Sequence, residues 1–144
     1  MRFFLEICYR GTNFHGWQRQ ENASSVQENI EISISNLLSN QIKIVGAGRT
    51  DTGVHANQMF AHFDYVTKID SLESLKNKLN NYLPRDIKII NIHRVNDDAH
   101  ARFDAISRTY RYSLISHKNP FLNDFSYLFK KKVNIEKMNI ASNS

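Results

Sequence analysis

Ser25-Val26-Gln27-Glu28-Asn29-Ile30-Glu31-Ile32-Ser33-Ile34-Ser35-Asn36-Leu37-Leu38 reads two ways, and the choice decides the fold. Ile30, Ile32 and Ile34 alternate as they would along a strand. Val26, Ile30, Ile34, Leu37 and Leu38 fall instead on one helical stripe, with only Ile32 off it. Ser25 with Glu28 three residues later is a capping box placed where that helix has to start. The stretch is therefore read as a helix.

Upstream, Phe3, Leu5, Ile7 and Tyr9 share one face of a strand over Arg2–Tyr9, which the turn-forming Gly11-Thr12-Asn13 and Gly16 bring to an end. Downstream, Ile42–Val45 is a short strand leading into the glycine-rich stretch Gly46–Ala56. Met59, Ala61, Phe63 and Tyr65 alternate as a further strand, with Phe60, His62 and Asp64 on its opposite face. A second helix begins near Ser71, buries Leu72, Leu75 and Leu79, and cannot pass Pro84. Ile87–Val95 is a strand with mixed faces, and Thr109–Ile115 is the last clear strand. This β-α-β-β-α-β order with one extra strand predicts an α+β, ferredoxin-like fold. Its sheet is expected to be mainly antiparallel, with both helices on one face and the other face open, as in proteins that lay RNA bases on a sheet.

The chain has 144 residues, enough for one ordinary domain. Hydrophobic residues at 41% with 11% aromatics supply a core and argue against disorder. The longest apolar runs, such as Ile87–Ile92, are too short to span a bilayer, and Phe3–Ile7, which carries Glu6, reads as a strand and not as a leader. A single cysteine, Cys8, excludes an internal disulfide and a cysteine-based zinc cage and fits a reducing cytoplasm. The net charge of +5 points toward a polyanionic partner. Asn134 caps a final helix with Ile135, Met138 and Ala141 on one stripe. That helix meets no stop signal before Ser144, so a longer natural chain is expected.

The chemistry-bearing stretch is Gly46-Ala47-Gly48-Arg49-Thr50-Asp51-Thr52-Gly53-Val54-His55-Ala56. Its glycines permit tight turns and close approach of a ligand. In extended backbone Arg49 and Asp51 would project from the same side, and contact with the guanidinium would favour the ionised carboxylate. Spacing alone favours a surface turn with a solvated ion pair worth less than about 1 kcal/mol.

Three stretches together resemble the TruA-type tRNA pseudouridine synthases. Gly46–Ala56 is similar to that family's G-x-G-R-T-D-x-G-V-H-A signature. Tyr9-Arg10-Gly11-Thr12-Asn13-Phe14-His15-Gly16-Trp17-Gln18-Arg19-Gln20 resembles its Y-D-G-T-x-F-x-G-W-Q-x-Q start. Ala101-Arg102-Phe103-Asp104-Ala105-Ile106-Ser107-Arg108-Thr109-Tyr110-Arg111-Tyr112 resembles its A-R-F-x-A-x-x-R-x-Y-x-Y stretch. Arg10 departs from the usual aspartate, and Ala99 from an aromatic that commonly precedes A-R-F.

The resemblance implies an isomerase that converts uridine to pseudouridine in the tRNA anticodon arm, typically at positions 38 to 40, with no cofactor and no metal. It implies Asp51 as the catalytic carboxylate, either attacking C1′ or promoting elimination to a glycal. Tyr110 is then expected to stack on the target base, with Arg49, Arg108, Arg111 and His55 as further substrate-binding residues. Arg49 is either the partner of the aspartate or a phosphate contact, and His55 is expected to order the loop through a backbone bond. Trp17 is expected to be a structural anchor. Arg19, Arg85, Arg102 and Lys130–Lys132 are further candidates to track phosphates, although a basic run is commonly just a solvated face. His15, His55 and His62 with Asp51 lack zincin spacing, so no metal site is expected. The family also has a second, similarly folded half, and implies a cytoplasmic homodimer. Residues 1–104 are accordingly expected to be the catalytic half and 105–144 the beginning of the second. The alternative is a non-catalytic RNA-binding module of ferredoxin-like fold.

Overall fold

The first sheet is ordered β2-β3-β1-β4, and every neighbouring pair in it is antiparallel. In the computed structural model, which describes residues 1–143, its strands are β1 (Arg2–Tyr9), β2 (Val45–Gly46), β3 (Ala56–Asp64) and β4 (Ile87–Val95). Helix α1 (Val26–Leu38) lies between β1 and β2, and α2 (Leu72–Tyr82) between β3 and β4. The chain divides into two compact units, Met1–Arg108 and Thr109–Ser144.

Helix α1 starts where the capping pattern puts it. The Ser25 hydroxyl accepts a hydrogen bond from the Glu28 amide at 3.2 Å, satisfying one of the otherwise orphaned N–H groups. Val26, Ile30 and Ile34 are fully buried, while the off-stripe Ile32 is 51% exposed. Helix α2 is capped in the same way by Ser71, whose side chain accepts from Ser74, and it stops before Pro84. Its Leu75 and Leu79 join the same core as Phe3, Leu5, Ile7 and Tyr9 of β1, Ala61 and Phe63 of β3, and Ile87, Ile89 and Ile92 of β4. One core shared by both helices and one sheet face means that the helices cover the same side, as expected. Each fully buried leucine or isoleucine there contributes about 1.5–3 kcal/mol relative to exposure.

The mixed faces of β4 have a local cause. Glu6 pairs with Asn91 and Ile7 with Ile89, so Ile90 is an extra residue opposite β1. Such a bulge reverses the alternation beyond it, and that is why Ile87, Ile89 and Ile92 all reach the core.

Two strand expectations need correction. The strand expected over Ile42–Val45 is reduced to Val45–Gly46. The Ile42 amide donates to Ser35 Oγ at 2.9 Å and the Ile44 amide to Glu31 Oε1 at 3.0 Å, while Gln27 Nε2 donates to the Ile44 carbonyl at 3.0 Å. Side chains of α1 thus satisfy backbone groups that a ladder would otherwise hold. The strand expected over Thr109–Ile115 is reduced to β5 (Leu114–Ile115), which pairs in parallel with β6 (Tyr127–Leu128). Residues 109–113 find no partner strand among the described residues, and alternation without a ladder does not make a strand. The second unit ends in α3 (Ile135–Ser142), capped by the Asn134 side chain, which accepts from Lys137 at 3.0 Å. No residue of 109–143 is buried. No helix among the described residues is long and apolar enough to cross a membrane.

The sheet face opposite the helices is not open along its whole length. His62 is 4% exposed and Ala101 3% exposed, because residues 99–104 fold over that face. His62 Nδ1 accepts from the Ala101 amide at 3.2 Å, and the His100 ring stands edge-on to His62 with centroids 4.6 Å apart. Phe103 stacks on His100 at 4.2 Å. At the sheet margin the Arg2 guanidinium grips Asp64 with two bonds of 2.9 and 2.8 Å and donates to the Ala99 carbonyl at 2.9 Å. The same pair holds the Asp64 carboxyl below the usual carboxylate range. Ala99 thus takes part through its carbonyl and not through its side chain.

Burial, with the positive Arg2 and the neighbouring His100, pushes the His62 pKa below its ordinary 6.5. Unfolding frees His62 to take up a proton, so its contribution to stability is full above about pH 6.5 and is lost as pH falls toward the folded value. Thermal unfolding is expected to show a falling midpoint from about pH 7.5 to about pH 5.5. His62→Asn keeps an acceptor but cannot be protonated in this range, and is expected to flatten that fall. A His62→Asn profile parallel to the wild type would refute the assignment.

Candidate active site

Between β2 and β3 the backbone from Ala47 to His55 is irregular and closes a turn at Asp51, whose carbonyl accepts from the Val54 amide at 3.2 Å. Gly53 takes a φ of +79° in that turn, with nothing within 4 Å of the place a Cβ would occupy. Its glycine is required by conformation alone.

The segment after β1 braces this loop from one side. Gly11–Asn13 make a single 3-10 turn, and the Gly11 amide donates to His55 Nδ1 at 3.0 Å. This is a backbone bond of the kind expected at His55. A Cβ on Gly11 would fall 2.0 Å from the Val54 carbonyl oxygen. The Phe14 carbonyl accepts from the Gly53 amide at 3.3 Å. Gly16, at φ +83°, comes so near that a Cβ would stand 2.4 Å from the Thr50 carbonyl oxygen. That approach lets the Trp17 amide donate to the same carbonyl at 3.0 Å. The Trp17 ring is 1% exposed and lies under Gly46, where a Cβ would be 2.6 Å from Nε1. Trp17 is the structural anchor expected of it.

Thr50 is held a second time, because its hydroxyl hydrogen-bonds the Tyr9 hydroxyl at 2.7 Å. Neither Tyr9 nor Thr50 was a candidate on sequence grounds, and nothing in their spacing of 41 positions discloses the pairing. Arg10 adds its amide to the Asp86 carbonyl at 2.8 Å, and Asn13 donates to the Asp86 carboxylate at 2.9 Å. This turn is therefore braced by Asp86, the residue just before β4.

The side chains of Arg49 and Asp51 are exposed, and neither makes a hydrogen bond or ion pair among the described residues. The residue on each side of Asp51 is different in kind: Thr50 is fixed, Thr52 is exposed. Arg108 behaves oppositely to Arg49. Its guanidinium donates to the Ala47 carbonyl from Nε at 3.0 Å and from Nη2 at 2.7 Å, and Nη2 also donates to the Arg102 carbonyl at 2.7 Å. Arg19 is engaged by Glu31 at 3.2 Å and Glu28 at 3.7 Å, which removes it from the simple phosphate candidates. Tyr110 and Arg111 belong to the second unit, where both are exposed, Tyr110 at 64%. A recess of about 370 Å³ lined by Gln41, Lys43, Val45, His62, Phe63 and Asp64 contains no residue of the Asp51 loop. Among the described residues no three histidine, cysteine or acidic side chains gather to hold a metal ion.

The loop thus presents an exposed carboxylate on a backbone that is fixed from both sides. Residues 7–104 match the family model described as tRNA pseudouridine synthase, and the chain belongs to that family. Its relatives include proteins named tRNA pseudouridine synthase A. That of Bacteroides thetaiotaomicron is 45% identical over 98% of this chain and 52% of its own length. That of Azobacteroides pseudotrichonymphae is 49% identical over 99% of this chain and 57% of its own length, and that of Nostoc sp. is 44% identical over 88% and 45%. The chain spans about half the length of the curated relatives it matches.

The two glycines with positive φ separate crowding from conformation. Gly53→Ala is expected to cost about 1–2 kcal/mol, the price of a left-handed backbone alone. Gly16→Ala adds a methyl 2.4 Å from the Thr50 carbonyl oxygen and is expected to cost clearly more. Urea unfolding of the two variants tests this, and equal losses would contradict the packing argument.

Proposed function

We propose that this chain supplies the catalytic loop of a tRNA pseudouridine synthase acting on uridine in the anticodon arm, at positions 38 to 40, with Asp51 as the catalytic carboxylate. The observation that carries the reading is the contrast at Thr50-Asp51. The backbone and hydroxyl of Thr50 are held by Trp17 and Tyr9, while the carboxylate next to them makes no hydrogen bond or ion pair among the described residues. The order β2-β3-β1-β4 with both helices on one face also supports a ferredoxin-like assignment.

The reaction needs no external reagent. The C1′–N1 bond of the uridine breaks, the uracil turns, and a C1′–C5 bond forms. The proton lost from C5 is balanced by one gained at N1, so substrate and product are isomers. An ionised carboxylate serves this either by attacking C1′ to form a transient ester or by promoting elimination to a glycal. Both routes require it close to the sugar, and a fixed loop meets that requirement better than a mobile one. The open setting of Asp51 suits a macromolecular substrate, because a folded RNA brings its own bulk to exclude water. In this reading Tyr110 stacks on the extruded base, a contact worth about 1–3 kcal/mol. Arg49 and Arg111 meet phosphates, and His55 keeps the loop in shape. Extrusion of a paired base costs a few kcal/mol, so stacking and phosphate contacts act together.

The alternative, an RNA-binding module without catalysis, makes a different forecast for one substitution. In the complete gene product, Asp51→Asn is expected to abolish pseudouridine formation while tRNA affinity stays within about threefold, since an exposed carboxylate near RNA gives no attraction to phosphate. Tritium release from C5-labelled uridine in tRNA measures the first, and filter binding the second. Turnover by Asp51→Asn at the wild-type rate would eliminate Asp51 as the catalytic group.

A further inference from the structure

Ala47 is gripped at both ends of its peptide unit. Its amide donates to the Phe60 carbonyl of β3 at 2.7 Å, and its carbonyl receives both Nε and Nη2 of Arg108. The next residue, Gly48, lies along the Arg108 side chain, so that a Cβ there would be 3.6 Å from Nε and 3.8 Å from Cδ. Asp51 follows four residues after Ala47.

The other end of the Arg108 bridge is equally well founded. Nη2 reaches the Arg102 carbonyl at 2.7 Å, and Arg102 sits in the segment folded over the sheet. There the amides of Arg102 and Phe103 donate to His100 Nδ1 at 3.2 and 3.3 Å. The His100 amide donates to the Asp104 carboxylate at 2.7 Å, and the Ala101 amide to the buried His62. Arg108 therefore ties the Asp51 loop to a piece of chain that is itself anchored on β3. The bonds use three of the five N–H groups of its fork. A guanidinium holds two carbonyls in fixed geometry, which a lysine ammonium on a flexible stem does not reproduce.

We propose that Arg108 is a positioning residue for Asp51: its guanidinium joins the Ala47 and Arg102 carbonyls and so sets the placement of the catalytic loop, in place of contacting RNA phosphate. The inference rests on the reading of Asp51 given above. Two kinds of arginine then flank the carboxylate. Arg49 makes no side-chain hydrogen bond or ion pair among the described residues and is exposed, whereas Arg108 is committed to the fold.

The test uses the complete gene product with Arg108→Ala, Arg108→Lys and Asp51→Ala, and unmodified tRNA as the probe. Three quantities are read: the single-turnover rate at saturating tRNA, the tRNA Kd over a salt series, and amide exchange across residues 47–53. A positioning role predicts a loss of rate on the order of 10²-fold in Arg108→Ala, with Arg108→Lys within a few-fold of it. Kd and its salt slope stay at wild-type values, and exchange at residues 47–53 quickens in both Arg108 variants but not in Asp51→Ala. A phosphate contact predicts the reverse: a weaker Kd, a salt slope smaller by about 1, rescue by Arg108→Lys, and an unchanged saturated rate. That result overturns the proposal, as does wild-type exchange across the loop in both variants. If Arg108→Ala does not fold, Arg108→Lys alone decides, because it keeps the charge and removes only the fork. Should Asp51→Ala retain full turnover, the function assigned to Asp51 fails, while the exchange data still settle whether Arg108 holds the loop.

Discussion

The hydrogen bond from the Trp17 amide to the Thr50 carbonyl is the constraint on which the placement of Asp51 depends. It forms only because Gly16 has no side chain and tolerates a positive φ, so two segments more than thirty positions apart in sequence come within backbone bonding distance. Gly11 and Gly46 play the same part above and below it, one against the Val54 carbonyl and the other against the Trp17 ring. The loop is therefore positioned by its main chain and by the side chains of Thr50 and His55, while those of Arg49 and Asp51 stay exposed. Held this way, the backbone around Asp51 is already ordered before any ligand arrives, while the exposed carboxylate keeps its own rotamer freedom.

Charge is partitioned along the same line. Arg2 with Asp64, Arg19 with Glu31 and Arg108 with two carbonyls are all turned to structural use. The Glu31 carboxylate, nearly buried, also takes the Ile44 and Gln27 donors, so its burial is balanced by several partners and not by one ion pair. No buried side-chain nitrogen or oxygen among the described residues lacks a hydrogen bond. Against that background the uncommitted pair Arg49 and Asp51 stands out. It supports the proposed site more than spacing does, since an i, i+2 arginine and aspartate in a glycine-rich stretch describes many ordinary turns.

How much of this was legible in the sequence depends on whether the signal was local. Ser25, Ser71 and Asn134 were recognisable as caps, and the stripes on α1 and α2 as buried faces, because helix periodicity and capping involve residues within a few positions of one another. The alternation of β1 was readable for the same reason. The bulge at Ile90 was visible only as a blurred pattern, since it depends on the register against β1. Residues 42–44 alternate like a strand but give their hydrogen bonds to Ser35, Glu31 and Gln27, and residues 109–113 alternate with no strand to pair with. Periodicity reports which side chains face alike; it does not report where backbone groups find partners. The site divided similarly. Motif resemblance picked out Asp51, Arg49 and His55, while the Tyr9–Thr50 pair and the inward commitment of Arg108 are long-range facts that no spacing encodes.

Under the function proposed for Asp51, its exposure has a consequence for how the chemistry would be shared with the substrate. In water two unit charges about 4 Å apart interact by about 1 kcal/mol, and at the lower effective dielectric of a covered site by about 4 kcal/mol. A carboxylate standing in solvent therefore has position but little electrostatic leverage. The folded chain fixes where it stands, through Thr50 on one side and Ala47 on the other, whereas exclusion of water has to accompany the bound nucleotide. Under the proposed function this division accounts for a loop held firmly around a side chain with no hydrogen bond or ion pair among the described residues: the part of catalysis that can be prepared in advance is backbone geometry, and that is what the glycines, Trp17 and Tyr9 provide.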